Sequence, residues 1–416
     1  MSIHIANERL INGLLKGFHG SIAPDKLRIL LSQDVEIVAP LERATFNDLW
    51  PAIWALAAVL ERQLYGRVFI RCGLSGPLAA PSPLGSRCQF VSVPQHVSLS
   101  LCIGINTSAH DAIVGDACQQ AIAVGSVFGD DRDPPKSIEC FVLAGYLGFA
   151  AIARFVDIPE HKADFATATL KLPFDARQLD RTLKALEGVT CVGLGQLGQA
   201  YLALLFFLYG GRLSGRRLAV IDDDIFEKEN GHTQLLLSDR GDWRGKHKVP
   251  YIASVVSQWD ADVFPVPEKI GWTWRRGSAH PALALLGLHD LEGRRMACAA
   301  GFERLIESGV GTDLLKPRVS WHSLPGDRLI GQRLFPEAFQ VETKADEIDT
   351  AWAGDLKNTP GGCGWVEFKG ISATAPCLGV AAVAFALSEL GRTAEVISGS
   401  ALLWSQCIPS YRETFD

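Results

Sequence analysis

A short apolar run, Val189 to Val192, enters Gly193-x-Gly195-x-x-Gly198, and an apolar segment of helical length, Gln196 to Leu208, comes directly after it. A strand that turns through glycines into a helix aims the unpaired N–H groups of the first helical turn at whatever sits in the bend, so this order suits a phosphate. Gly193 permits the tight turn, Gly195 lets backbone N–H groups approach the anion, and Gly198 lets helix and strand pack closely. A second apolar run, Leu218 to Ile221, ends in Asp222, Asp223 and Asp224. Strand periodicity points Asp222 and Asp224 the same way, where they can accept hydrogen bonds from ribose hydroxyls. The other reading of such glycines is a purely structural turn.

Around this stretch the chain reads as a large α/β protein. Its 416 residues predict two or three domains, and 48% hydrophobic with 21% charged residues is ample for full cores. A net charge of -6 with scattered Lys and Arg argues against nucleic-acid binding. The ten cysteines form no C-x-x-C pair, so zinc is not expected and reduced thiols are. The N-terminus lacks the apolar core of a signal peptide. The longest apolar runs, such as Ala200 to Tyr209, fall short of the ~20 residues that span a bilayer. A cytoplasmic protein with no membrane contact is the expectation.

Helical spacing predicts an amphipathic helix over residues 7–20. Leu27 to Leu31 and Val35 to Ala39 are short apolar runs, Leu49 to Leu64 reads as a buried helix, and Arg67 to Cys72 as a strand. The glycines at 73–76 echo a nucleotide turn, but Pro77 breaks the helix that would have to start there. Val91 to Ile105 is strand-like, Asp111 to Val127 suits a strand or a helix, and Ser137 to Phe155 is apolar and rich in small residues, a helix packed on a sheet. A polar stretch with Pro159 and Pro173 predicts a linker over 156–185 between residues 1–155 and 186–416. Past the glycine turn the expected elements are a helix near Gly245 to Val256 and strands at Asp262 to Pro265 and Leu283 to Leu288. A helix over Glu292 to Ser308, a strand at Arg318 to His322 and a final buried helix from Pro376 to Leu390 complete the series. The alternation predicts a doubly wound, Rossmann-like α/β fold. A loop rich in Gly, Asp and Pro fills 336–364.

A dehydrogenase or a nucleotide-binding scaffold accounts for the turn and the acidic strand end. It does not account for Glu227-x-x-Asn230-x-x-Thr233-Gln234 and then Gly245-x-x-Lys248, which lie beyond the aspartates. If this segment is helical, Glu227, Asn230 and Gln234 share one face beside the phosphates, and Lys248 supplies a point charge. Nucleotidyl transfer needs such a charge and hydride transfer does not. The plainer reading is a solvated polar helix.

The run IDDDIFEKENGHTQLLL with GKHK resembles the adenylation-domain signature of the ThiF, MoeB and HesA proteins and of ubiquitin-activating enzymes. The likeness continues through Leu288-His-Asp290, GFERLIESGVGT at 301–312 and GISATAPCLGVAAVAFALSELGR at 370–392. It implies an active adenylation domain over 186–416 that binds MgATP through Gly193, Gly195, Gly198, Asp222, Asp224, Asn230, Gln234 and Lys248, with Asp290 holding Mg²⁺. It further implies adenylation of the C-terminal glycine of a ubiquitin-like protein, transfer to a thiol as a thioester and hand-over to a conjugating enzyme. Cys363, in Pro360-Gly-Gly-Cys363-Gly, has the position of the reactive cysteine and is either that nucleophile or an inert loop thiol. Where the family has an arginine before Gln234 this chain has Thr233, and Arg9 is the candidate replacement. The first 155 residues have the size of a second, degenerate copy, which implies a pseudo-dimer within the chain or a homodimer. The enzymatic alternative acts on a sulfur carrier or peptide without a thioester.

Overall fold

The computed structural model describes residues 24–39, 42–72, 78–103, 121–124, 137–156, 167–168, 186–239, 241–288, 290–310, 318–335, 375–391, 396–402 and 409–415. The helix expected over 7–20, the turn at 73–77, the loop over 336–364, and with them Arg9 and Cys363, lie outside these residues. So does nearly all of the expected linker.

The chain is an α/β protein built on two largely parallel sheets. The first runs β1 (Val35–Val38), β2 (Val68–Arg71), β3 (Cys88–Val91), β4 (Leu99–Ile103), β5 (Ala121–Val124) and β6 (Thr167–Ala168). Its spatial order is β3-β2-β1-β4-β5-β6, all parallel. The second contains β7 (Gly188–Val192), β8 (Arg217–Ile221), β9 (Asp262–Val266), β10 (Leu283–Leu286), β11 (Arg304–Val310), β12 (Arg318–Pro325), β13 (Val396–Leu402) and β14 (Pro409–Phe415). There β9-β8-β7-β10-β11 are parallel, and β12, β13 and β14 extend the sheet antiparallel. Five strands in each sheet therefore follow the same 3-2-1-4-5 path, with the chain reversing direction across the sheet after the third strand.

The helices are α1 (Pro24–Leu31), α2 (Arg43–Gln63), α3 (Ser137–Val156), α4 (Gln196–Leu208), α5 (Lys248–Ser257), α6 (Leu291–Ala299), α7 (Arg328–Leu334) and α8 (Ala375–Ser388). Two expectations differ from what forms. Val91 to Ile105 is not one strand, because Pro94 cannot join a ladder and the chain crosses from β3 to β4 there. The helix expected over Glu292 to Ser308 stops at Ala299. Gly301 takes a φ of 88°, a left-handed conformation that ends helices, and Arg304 to Val310 becomes β11.

Helices from both halves share one core. Trp54 of α2 and Phe141 of α3 lie 5.5 and 6.0 Å from Phe207 of α4, and Phe206 is 5.2 Å from Trp259. Between α3 and α8 the backbones approach so closely that glycine is required. A Cβ at Gly145 would lie 2.6 Å from the Cys377 carbonyl oxygen and 2.8 Å from the Ala381 Cβ. Overpacking of this kind costs about 1–3 kcal/mol. Gly145→Val is therefore expected to lower the melting temperature followed by circular dichroism. Gly271→Ala, where nothing lies within 4 Å of the added carbon, is expected to leave it unchanged.

Candidate functional site

At the C-terminal ends of β7 and β10 the strand order reverses, and a crevice opens there as it does in doubly wound sheets generally. A cleft of about 220 Å³ occupies this position. Gly193 and Gly195 line it with Asp222, Asp223, Asp224, Lys248 and Asp290.

Its floor is backbone. Gly193 has φ 82°, its N–H donates to Ile221 O at 2.8 Å, and a Cβ there would meet Leu288 and Gly287 at about 3 Å. A Cβ on Gly198 would lie 1.9 Å from the Gly193 carbonyl oxygen, and one on Gly287 would lie 2.5 Å from the Gly198 nitrogen. Gly195 differs from these: nothing lies within 4 Å of the position a Cβ would take. It also caps α4 without a side-chain hydrogen bond, so the first N–H groups of α4 have no side-chain acceptor at their cap. The open glycine thus sits where an anion would meet those N–H groups.

Asp222 holds this turn. One carboxylate oxygen accepts from Leu194 N at 2.6 Å and the other from Asp224 N at 2.8 Å. Burial raises its carboxyl above the ordinary aspartate range, while the Lys248 ammonium and those two N–H groups act in the opposite direction. Lys248 begins α5, is buried, and places Nζ 2.7 Å from Asp224 and 3.9 Å from Asp222. Asp290 caps α6, with one oxygen accepting from Gly293 N. Its second oxygen has no protein partner among the described residues.

Asn230 and Gln234 do not line the cleft. Only Lys228–His232 is helical, as a 3-10 turn, so the face expected to carry Glu227, Asn230 and Gln234 together does not form. The Asn230 side chain caps that turn by accepting from Glu227 N at 2.9 Å. Gln234 is buried, and its side-chain oxygen accepts from Gln199 Nε2 at 2.6 Å. The same Gln199 amide donates to Leu194 O at 3.0 Å, and its oxygen accepts from Leu236 N at 2.9 Å. Gln234 thus shapes the wall behind the glycine turn, and Asn230 closes the 3-10 turn that precedes it. Gly198 also belongs to the packing beneath the cleft and not to its lining.

Several wall residues escaped the sequence reading. Gly287 carried a signal, a glycine directly after an apolar strand; Glu268, Lys269 and Ile270, which also line the cleft, carried none. On the far side Arg294 donates from Nε and Nη2 to Leu288 O, at 3.2 and 3.0 Å, and pairs with buried Glu307 at 2.9 Å. This fork fixes the strand end that leads to Asp290.

Metal chemistry is compatible with the donors present. The carboxylates of Asp222, Asp223 and Asp224 have oxygens within 4.8 Å of one another, and Asp290 lines the same cleft. An all-oxygen set suits a hard cation such as Mg²⁺. Among the described residues thiols offer nothing comparable nearby. Burial pushes Cys191 and Cys298 up to about 12 and raises Cys88, Cys140 and Cys377 as well, which keeps all five protonated.

Residues 187–396, about half the chain and the part that builds this cleft, match the family described as the BilD C-terminal domain. The chain belongs to that family. It is 27% identical over 217 residues to the bacterial E1-like protein BilD of Collimonas sp. (strain OK412). That similarity covers 50% of this chain and 46% of the relative, so it spans about half the length of each. The family match contains most of the second sheet and every cleft residue named above. Among the described residues no helix is long and apolar enough to cross a membrane.

The glycines provide a direct check on the floor. Gly198→Ala drives a carbon into a backbone carbonyl and is expected to cost about 3 kcal/mol or more. Gly195→Ala fills open space and is expected to melt like wild type. Differential scanning calorimetry of the two variants measures the contrast.

Proposed function

We propose that this protein is an ATP-dependent activating enzyme that adenylates the C-terminal carboxylate of a ubiquitin-like protein. The observation that carries the reading is Lys248, a buried ammonium in the wall of a cleft whose floor is an open glycine turn at a strand switch point. Similarity to an E1-like protein supports the same reaction class.

In this reading the triphosphate of ATP lies over Gly195, with backbone N–H groups of the turn and α4 as donors, and Asp222 and Asp224 lie beside the ribose. Lys248 exchanges part of its contact with Asp224 for phosphate oxygens. Attack of a carboxylate on the α-phosphorus brings two anions together, so fixed positive charge at that point lowers the barrier. The new bond joins a carboxylate oxygen to phosphorus, the bond to the bridging oxygen breaks, and pyrophosphate leaves with that electron pair. Mg²⁺ on Asp290, when bound, supplies charge neutralisation at the phosphate oxygens. Gln234 serves the site by shaping its wall, and Asn230 by capping the turn that leads to it. Arg9 is proposed as the cation that stands in for the arginine replaced by Thr233.

The second step proposed is attack of the Cys363 thiolate on the acyl carbon, which forms a thioester and releases AMP, followed by transfer to a conjugating enzyme. The first half is proposed to be a degenerate copy of the second, forming a pseudo-dimer within the chain. Supporting this, its sheet has the same strand path, yet β2 ends in Arg71 where β8 is followed by Asp222. Buried Arg71 lies 3.3 Å from buried Glu36, so an internal ion pair occupies that strand end. We place the reaction in the cytoplasm.

ATP–pyrophosphate exchange measured with the purified chain, Mg²⁺ and a ubiquitin-like protein ending in glycine tests the first step. Lys248→Met is expected to lower exchange by about 100-fold or more, the scale of losing one preorganised donor. Gly195→Ala is expected to weaken ATP binding while leaving folding intact. Cys363→Ala is expected to preserve exchange and abolish a reducible acyl adduct on gels. Exchange that ignores any carboxylate-bearing protein would overturn the reading in favour of a nucleotide-binding scaffold.

A further inference from the structure

Residues 234–237 come after the 3-10 turn with no ladder or helix to satisfy their carbonyl groups, and they lie buried against the first half of the chain. One side chain there collects three of those carbonyls. Arg62, in the last turn of α2, donates from Nε to Gln234 O at 2.9 Å and from Nη2 to Leu235 O at 3.0 Å and Leu237 O at 3.1 Å. Nη1 donates to Ala58 O at 2.9 Å within its own helix. Burial disfavours the Arg62 charge, and Glu61 and Asp239 nearby favour it. A planar guanidinium fork is suited to this task because its donors are fixed relative to one another.

What Arg62 fixes is the segment that grips the glycine turn. Gln234 meets Gln199 through its side-chain oxygen, and Leu236 N donates to the same Gln199. Gln199 in turn donates to Leu194 O, and Leu194 N donates to Asp222. An unbroken series of hydrogen bonds therefore runs from α2 of the first half to the carboxylate beside Lys248. Most of its members are buried, where each misplacement leaves an unpaired polar group.

We infer that Arg62 is a positioning residue through which the first half of the chain holds the nucleotide cleft open. It orders residues 234–237, these orient Gln199, and Gln199 sets the tilt of the Leu194 peptide in the turn. The inference rests on the reading that this cleft binds ATP, and it assigns the first half a part in that binding.

The test uses the full chain, with MgATP affinity by isothermal titration calorimetry and melting temperature measured for each variant. Arg62→Lys keeps the charge but loses the fork, and is expected to weaken ATP binding by about 10- to 100-fold, the scale of a small misplacement. Gln199→Met cuts the same path further along and is expected to do likewise. The double variant is expected to bind no worse than the weaker single one, since both act through one path. Gly145→Ala crowds the contact of α3 with Cys377 and Ala381 of α8, another link between the halves that lies off the path. It is expected to lower the melting temperature without altering ATP affinity.

The inference is overturned if Arg62→Lys binds ATP like wild type, or if Gly145→Ala weakens binding to the same extent. Should Arg62→Lys not fold, unchanged ATP affinity in Gln199→Met overturns it alone. If wild type binds no ATP, the ATP reading itself fails. Amide hydrogen exchange at Leu194 and Leu236 then decides the positioning role: faster exchange in Arg62→Lys supports it, and unchanged exchange ends it.

Discussion

One carboxylate joins the parts of the cleft. Asp222 bonds forward to the glycine turn through Leu194 N and onward to Asp224 N, with Lys248 alongside both acids. This geometry depends on β7 and β8 being parallel neighbours in register, Val192 opposite Ile221, so that turn and acid arrive at the same level. A carboxylate at this depth would be costly alone, and the ammonium and two N–H donors are what make its ionised form tolerable. The arrangement also has a chemical consequence. Negative charge beside an anion site repels the ligand, and Lys248 offsets that repulsion while staying within reach of both acids.

Beneath Asp222 three glycines pack backbone against backbone. Gly193, Gly198 and Gly287 approach one another so closely that a Cβ at 198 or 287 would overlap backbone atoms. A floor of this kind has few ways to vary, because side-chain rearrangement cannot relieve a backbone contact. Chemical choice is left to the walls. On one side these are Glu268, Lys269 and Ile270, just past β9, and on the other Asp290, Glu292 and Met296. The Arg294 fork on Leu288 O, anchored by Glu307, fixes the second wall from behind. The Gln199 amide, which holds Leu194 O, is a second hydrogen-bonded support of a cleft whose centre is bare backbone.

The parts legible in the sequence were those whose cause is local. Strand, glycine turn and α4 could be read because spacing and apolar period are properties of adjacent residues, and Gln196 to Leu208 forms the helix expected. The run from Glu292 to Ser308 misled for the same reason. Its apolar residues suit a helix, and only the left-handed Gly301 divides it into α6 and β11. Asn230 and Gln234 stood out by residue type and order, but what each touches is set by tertiary packing. Gln234 meets Gln199, 35 residues away, and Arg62 reaches its carbonyl across 172. No window along the chain contains those partners, so Gln199 and Arg62 gave no sign of their part in the wall.

The shared core explains why the first half is present whatever its own sheet can bind. α8 reads APCLGVAAVAFALS, apolar around its whole circumference, and a helix of that kind must be covered on every side. The second sheet covers one side, where Trp321 stacks 4.8 Å from Phe385. α3 of the first half covers another, at a separation that Gly145 allows. α4 is in the same position, with Phe206 and Phe207 packed against Trp259, Trp54 and Phe141. α4 also carries the glycine turn at its N-terminus and Gln199 one turn further on. The helix whose N-terminus faces the cleft is therefore seated partly on residues of the first half, so an isolated second half would expose the apolar face on which its own glycine turn depends.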